Sequence, residues 1–243
     1  KGLMPHHLFK KEIDFLSFNK YLTFDYIPTP NTVFKNVYKL EPGNFLVFDG
    51  KEIKKNKFWR LNFDTNRFKN ETYEKNILFA LDKGLEQAVK SRLVADVPLG
   101  VFLSGGIDSS TIAYYAQKNT ENKIKTFSIS FDEKDCDESI YARQVAKYLH
   151  TEHYEEKLDA KQALDLISRI NDFIDEPVAD YSFVPTYLLS KFTKKTVTVA
   201  LSGDGGDELF FGYPTFQAES FVNMCRLFPD SVFQILQKIP AIL

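Results

Sequence analysis

The stretch that decides the fold runs from residue 98 to residue 110 and reads Pro98-Leu99-Gly100-Val101-Phe102-Leu103-Ser104-Gly105-Gly106-Ile107-Asp108-Ser109-Ser110. An apolar run of strand length ends in Ser-Gly-Gly, and a polar triplet then opens a segment with helical spacing. This pattern predicts a buried strand that turns tightly into the N-terminus of a helix. The glycines allow close backbone approach, the first helical amides have no intrahelical acceptor, and the serine hydroxyls add donors. Such a loop is suited to bind a phosphate group.

A carboxylate inside the same loop points to a metal ion as well. Asp108 would repel a bare phosphate, whereas Mg²⁺ is commonly held by one or two carboxylates together with phosphate oxygens. The alternative is a glycine turn of the kind found in any α/β domain. The loop lacks the Gly-Lys-Ser/Thr ending of a Walker loop, the spacing G-x-G-x-x-G, and the glycine that a nucleophile elbow places two residues before its serine.

The composition is that of an ordinary soluble globular protein, with 44% hydrophobic and 26% charged residues in a chain of 243. Lys and Arg number 31 against 33 for Asp and Glu, so there is no electrostatic case for nucleic acid or an anionic membrane as a partner. No apolar run approaches the roughly 20 residues of a membrane span. Cys136 and Cys225 lie far apart and are interpreted as reduced thiols, so we expect a cytoplasmic protein without a disulfide or zinc.

Hydrophobic periodicity predicts an α/β domain after residue 72. A long amphipathic helix precedes the strand at Leu99, and further strands are expected at 125–131, around His153 and at 196–201. Helices between them are marked by Tyr141, Val145, Tyr148 and Leu149, by Ala163, Leu166, Ile167, Ile170 and Phe173, and by Val184, Leu188 and Phe192. This alternation predicts a parallel sheet with helices on both faces. Upstream, the pattern predicts a helix within residues 12–22 and a β-hairpin with an Asp49-Gly50 turn.

A second glycine-rich loop follows the last predicted strand and reads Ser202-Gly203-Asp204-Gly205-Gly206-Asp207-Glu208. Ligands of open parallel sheets bind at the carboxyl ends of the strands, so both loops would face one ligand if their strands are neighbours. Three acids in five residues among glycines favour a functional role. The alternative is a solvated acidic turn in which Asp204 or Asp207 caps the next helix.

These motifs resemble those of a known family. Residues 104–109 are similar to the S-G-G-x-D-S pyrophosphate loop of the ATP pyrophosphatases (PP-loop superfamily), and the flanks and second loop are similar to those of the glutamine-dependent asparagine synthetases. Further upstream the resemblance rests on Tyr26-Ile27-Pro28 and Leu40-x-Pro42-Gly43. It implies that residues 64–243 are an adenine nucleotide alpha hydrolase-like synthetase domain that is truncated at its C-terminal end. Residues 1–63 would then be the helix and hairpin that end an Ntn glutamine amidotransferase domain.

The resemblance also implies roles for individual residues. It assigns nucleotide binding to Leu103, Ser104, Gly105, Gly106, Asp108, Ser109, Ile129, Ser202 and Gly203. Asp108 and Asp207 would hold Mg²⁺, and Asp204 would act in forming an acyl-adenylate. Many family members have Glu at the position of Asp204, which leaves the exact substrate open.

A third segment, residues 175–185, is similar to one that the family places beside the substrate pocket. Asp180 and Ser182 are therefore lower-ranked candidates for substrate binding, and Glu208 of the second loop is a further one. Ser182 is also expected to cap the helix that follows it. His153 matches a recurring family histidine, but a single histidine at a strand is more often structural.

The activity that the resemblance implies is ATP-dependent amide formation. MgATP adenylates the side-chain carboxylate of aspartate, and ammonia derived from glutamine then gives asparagine, AMP and pyrophosphate. The family's glutaminase nucleophile is an N-terminal cysteine, which Lys1 does not match, so we expect that site to lie upstream of this sequence. The alternatives are a related enzyme that amidates a sugar acid, a peptide or a β-amino acid precursor, and a nucleotide-binding module without catalysis. The expected partners are small-molecule substrates, and a homodimer is left open.

Overall fold

The structure is a computed structural model that describes residues 1–62, 71–131, 137–158, 160–216, 218 and 219. The predicted domain boundary at 63/64, most of the acidic stretch at 132–138, and both cysteines lie outside the described residues. The chain divides into two compact units. One comprises residues 1–85, 129–137 and 156–196, and the other comprises residues 86–128, 138–155 and 197–243.

The elements alternate as the sequence predicts. In chain order they are α1 (Phe15–Phe24), β1 (Asn44–Phe48), β2 (Ile53–Lys57), α2 (Glu71–Arg92), β3 (Leu99–Phe102), α3 (Ile107–Lys118), β4 (Lys125–Ser130), α4 (Ser139–Leu149), β5 (Glu152–Lys157), α5 (Ala160–Ile167), a 3₁₀ turn (Ile170–Asp172), α6 (Phe183–Thr193), β6 (Val199–Leu201) and α7 (Gly206–Phe210). None of the helices described is long and apolar enough to cross a membrane.

A four-stranded sheet in the order β5-β4-β3-β6 positions the candidate site. β3 lies between β4 and β6 and pairs with both in parallel, so that Val101 is opposite Thr126 on one side and Leu201 on the other. The amide of Glu152 bonds to the carbonyl of Ile124 at the start of β4, and that of Leu158 bonds to Ser130 at its end, so β5 runs in the same direction. The predicted parallel sheet flanked by helices is confirmed.

The middle of this sheet is fully buried. Val101 in β3 and Phe127 in β4 are both 0% exposed, and β4 is buried at four of its six positions. A strand covered on both faces needs apolar or hydrogen-bonded side chains at nearly every position. The strict alternation predicted for residues 125–131 is therefore replaced by near-continuous burial.

The N-terminal helix and hairpin are confirmed. Asp14 caps α1 by accepting hydrogen bonds from the amides of Leu16 and Ser17, which moves its start three residues beyond the predicted Glu12. β1 and β2 pair antiparallel, and the Asp49 carboxylate accepts hydrogen bonds from the amides of Lys51 and Glu52 at 2.9 Å each. These two hydrogen bonds, that from Glu52 first, lower the pKa of Asp49.

Three details of the predicted helices and strands were wrong. α4 is buried through Ala142 and Ala146, whereas Tyr141 and Tyr148, predicted for its core face, are 60% and 81% exposed. The helix predicted to reach Phe173 ends at Ile167, and a 3₁₀ turn follows. β6 starts only at Val199, because the amide of Thr196 bonds to the carbonyl of Thr193 and completes the turn out of α6.

Candidate functional site

Two loops follow the neighbouring strands β3 and β6 and lie at the same edge of the sheet. The first loop comprises residues 103–109 and the second loop comprises residues 202–208. Because β3 and β6 are parallel and adjacent, their carboxyl ends meet at this edge. The sequence predicted that the loops would share a ligand only if their strands were neighbours, and this condition is met.

The first loop is held by its two outer serines. The Ser104 and Ser109 hydroxyls lie 2.9 Å apart and share a hydrogen bond, and the Ser104 amide donates to the Ser109 hydroxyl at 3.2 Å. The Gly106 amide in turn donates to the Ser104 hydroxyl at 3.2 Å. These bonds fold residues 104–109 into a compact turn at the start of α3.

Gly105 allows this turn to pack against α4. Its φ is +88°, and a Cβ there would lie 2.5 Å from the Tyr141 carbonyl carbon and from the Ala142 amide nitrogen. Those are backbone atoms, which cannot rotate aside. Only glycine fits this position.

The first turn of α3 is a helix N-terminus without a side-chain cap. Gly106 occupies the N-cap position with extended backbone and no side-chain cap, and α3 begins at Ile107, whose side chain is 86% exposed. The amides of a first helical turn have no intrahelical acceptor, and the helix dipole is positive at this end. The first loop can therefore bind an anion, as the sequence predicts.

The second loop lies directly on the first. A Cβ at Gly203 would lie 2.8 Å from the Ser109 amide nitrogen and 2.9 Å from the Asp108 carbonyl carbon. A Cβ at Gly206 would overlap the carboxyl carbon of Asp108 and lie 2.6 and 2.7 Å from its two oxygens. Gly203 thus makes room for the backbone of the first loop, and Gly206 makes room for its Asp108 carboxylate.

Neither Asp204 nor Asp207 caps the next helix. Gly205 occupies the N-cap position of α7 with φ +92°, and no side chain caps that end. Asp204 instead accepts a hydrogen bond from the Ser202 hydroxyl at 2.8 Å. The interpretation of Asp204 or Asp207 as a capping residue was wrong, because a glycine with positive φ starts this helix without one.

Residues beyond the second loop turn back towards its acids. Phe211 has a left-handed φ of +60°, and the Gly212 amide donates to the Asp207 carbonyl at 3.0 Å. The Tyr213 hydroxyl donates to Glu208 Oε1 at 2.8 Å, and this bond raises the pKa of Tyr213 to about 12. Sequence reasoning missed Gly212 and Tyr213, since a non-glycine residue in a left-handed conformation leaves no reliable signal.

The remaining predicted residues have different surroundings. Leu103 is 1% exposed and continues the β3–β4 ladder through its amide, which donates to the Phe127 carbonyl at 2.8 Å. Ile129, Asp180 and Ser182 belong to the unit that does not contain the two loops. Ser182 precedes α6 but makes no side-chain cap, so that prediction was wrong. The Asp180 carboxylate accepts a hydrogen bond from the Ser182 amide at 2.8 Å instead.

His153 has a structural environment. Its Nδ1 lies 2.9 Å from the Thr126 hydroxyl and its Nε2 lies 3.3 Å from the Ser128 hydroxyl. Burial lowers the pKa of His153, with Glu155 opposing the shift and Arg143 adding to it. Both ring nitrogens are thus engaged within the β4–β5 pair.

The donor set at the two loops suits magnesium bound together with a phosphate. Within the described residues no cluster of three or more His, Cys, Asp or Glu side chains is placed to hold a metal alone. Mg²⁺ does not require one, because it takes one or two carboxylates and completes its shell with phosphate oxygens and water. The Asp108 carboxylate at Gly206, the residue next to Asp207, fits that pattern.

Comparisons with known proteins agree with the motifs. The family model described as "Asparagine synthase" matches residues 80–238, and the model described as "Glutamine amidotransferase domain" matches residues 1–59. "Putative asparagine synthetase (glutamine-hydrolyzing) 2" of Methanocaldococcus jannaschii is 38% identical over 90% of this chain and 42% of its own length. "Asparagine synthetase (glutamine-hydrolyzing) 1" of Bacillus subtilis is 31% identical over 96% of this chain and 36% of its own length.

A solved structure is also similar to part of the chain. The NH3-dependent NAD synthetase of Campylobacter jejuni aligns with 56% of this chain and 60% of its own, with a TM-score of 0.39 and 14% identity. The chain spans less than half the length of the two curated relatives named above.

Proposed function

This chain belongs to the asparagine synthase family, and on that premise we propose that it carries the ATP-binding half of a glutamine-dependent asparagine synthetase. The reaction is adenylation of the aspartate side-chain carboxylate by ATP, followed by attack of ammonia to release asparagine and AMP. Residues 1–63 then form the end of a glutamine amidotransferase domain and residues 64–243 part of the synthetase domain, in line with the two family models.

The observation that carries the proposal is the contact between the two loops. Gly203 and Gly206 lie against the backbone and carboxylate of Asp108, at the carboxyl ends of neighbouring parallel strands. An acidic turn that served only solubility would have no reason to lie on an anion-binding helix N-terminus. The arrangement instead brings amides, hydroxyls and carboxylates to one place, as the binding of a nucleoside triphosphate with its metal ion requires.

Each part of the site has a task in the first step. The aspartate carboxylate attacks the α-phosphorus of ATP, the bond from that phosphorus to the pyrophosphate oxygen breaks, and pyrophosphate leaves. The first-turn amides of α3 and the Ser104 and Ser109 hydroxyls bind the pyrophosphate and stabilise the charge that develops on it. Asp108 and Asp207 would hold Mg²⁺, which when bound offsets the negative charge of the leaving group. Binding both reactants at one edge of the sheet removes the entropic cost of their encounter.

We propose Asp204 as the acid that acts at the carboxylate being activated. Its side chain is exposed and its position is set by the bond from Ser202. The glycines that follow it permit close approach of the backbone, which compensates for a side chain one methylene shorter than Glu.

The test is ATP–pyrophosphate exchange in the presence and absence of aspartate. In the full-length enzyme we expect aspartate-dependent exchange for the wild type, its loss in Asp204→Asn with ATP affinity nearly unchanged, and partial activity in Asp204→Glu. Substituting a sugar acid or a β-amino acid precursor for aspartate tests the competing substrate classes. Near-normal aspartate-dependent exchange in Asp204→Asn would show that this residue only shapes the turn.

A further inference from the structure

The three acids of the second loop differ in what already contacts them. Asp204 accepts the Ser202 hydroxyl, and the Asp207 carboxylate packs so closely on Gly212 that a Cβ there would overlap Oδ1. Glu208 is exposed, and among the described residues it accepts a hydrogen bond from the Tyr213 hydroxyl alone, through Oε1. No ion pair within the described part of the chain involves these three acids. The second oxygen of Glu208 receives no hydrogen bond from the described residues, so it is open to a positively charged group of a ligand.

Tyr213 is well placed to fix the direction of that oxygen. The left-handed turn at Phe211 brings Tyr213 back beside α7, and its ring contacts Phe216, with centroids 6.1 Å apart. The Glu208 carboxylate, helped by the charges of Asp207 and Asp204, holds the pKa of the phenol at about 12, so it stays a hydrogen-bond donor throughout the physiological range. A neutral donor on one oxygen orients a carboxylate and leaves its negative charge in place.

We infer that Tyr213 is a positioning residue, which holds Glu208 so that its second oxygen receives the ammonium group of the amino-acid substrate. The inference rests on the proposed function, because it places the substrate amino acid at the second loop. A charge-assisted hydrogen bond from ammonium to carboxylate is stronger than a neutral one and depends on direction. Glu208 would thereby favour an amino acid over a carboxylic acid of the same length without the amino group.

The experiment compares aspartate with succinate, which has both carboxylates but no amino group, in ATP–pyrophosphate exchange by the wild type and Tyr213→Phe. We expect the KM for aspartate to rise about tenfold in Tyr213→Phe, as for loss of one hydrogen bond to a charged group, while the KM values for succinate and ATP stay unchanged. Tyr114→Phe is the matched control, because Tyr114 is 44% exposed against 41% for Tyr213 and lies on α3. An unchanged KM for aspartate, or equal rises for aspartate and succinate, would overturn the inference.

A second readout does not depend on activity or metal. The ¹³Cζ signal of Tyr213, assigned by its loss in Tyr213→Phe, should remain that of the neutral phenol at about pH 10.5 in the wild type and shift towards that of the phenolate in Glu208→Gln. The same signal in both proteins would disprove the hydrogen bond. If the wild type and Tyr114→Phe show no exchange with aspartate, the proposed function fails, and the ammonium assignment fails with it. The NMR result then decides the positioning contact separately.

Discussion

Replacing Gly206 by alanine should separate ligand binding from folding at this site. The added Cβ would lie 2.6 and 2.7 Å from the two Asp108 oxygens, whereas ordinary van der Waals contact begins near 3.4 Å. The Asp108 carboxyl carbon would be closer still, so the carboxylate must move by about 1 Å. Mg²⁺ demands near-ideal octahedral geometry at about 2.0–2.1 Å, so a displacement of that size removes Asp108 as a direct ligand.

The fold itself should tolerate the change. Gly206 is in the first turn of α7 and its φ is not positive, and a carboxylate at the end of a side chain can rotate away from a methyl group. Alanine is also the better helix former, by about 1 kcal/mol in a helix interior. We expect a thermal midpoint equal to or slightly above that of the wild type.

Calorimetry gives the size of the loss in binding. Losing one interaction with a charged group costs about 1.5–3 kcal/mol, which corresponds to about a 10- to 150-fold weaker affinity for Mg-pyrophosphate. Gly84→Ala is the matched control, because Gly84 lies in α2 and a Cβ added there would meet nothing within 4 Å. Affinity for Mg-pyrophosphate within about twofold of the wild type in Gly206→Ala would refute the placement of Asp108 as a metal ligand.

Two further predictions concern stability. Gly105→Ala should lower the free energy of unfolding in urea by about 1–3 kcal/mol. The reason is that φ at Gly105 is +88° and the added Cβ would meet the α4 backbone at 2.5 Å. An unchanged urea midpoint would contradict that packing. Burial lowers the pKa of His153 in the folded protein below 6.5. The stability contributed by the neutral imidazole is therefore complete above pH 6.5 and is lost as the pH falls through the lower pKa of the folded state. The thermal midpoint should therefore drop more steeply between about pH 7.5 and 5 in the wild type than in His153→Gln, and equal slopes would disprove this role.

The parallel sheet and the ends of its strands could be predicted from the sequence because they depend on local patterns, whereas the meeting of the two loops was predicted only on the condition that β3 and β6 are neighbours. An apolar run followed by Ser-Gly-Gly or Ser-Gly-Asp indicates where a strand ends. The alternation of strands with helices indicates that the strands are parallel. The order β5-β4-β3-β6 then brings residues 104 and 202 to one edge.

The features that were missed depend on close approach between elements. The buried face of α4 consists of small residues, although the hydrophobic periodicity favoured Tyr141 and Tyr148. The reason is that the backbone of Gly105 lies against the first turn of α4. The bond from Tyr213 to Glu208 needs a left-handed conformation at Phe211, a residue type that seldom adopts it. Residue type alone does not reveal such contacts.

Binding of Mg-pyrophosphate and of AMP to Asp108→Asn tests the central claim most directly, which is that the two loops form one site for a metal-bound pyrophosphate. Asn is close to Asp in size but lacks its charge, so the loop hydrogen bonds between Ser104 and Ser109 should persist. We predict by calorimetry that Asp108→Asn weakens Mg-pyrophosphate binding about 10- to 150-fold and changes AMP binding by less than about twofold. An equal loss for both ligands would show that Asp108 only shapes the first loop, and no loss for either would contradict the site itself.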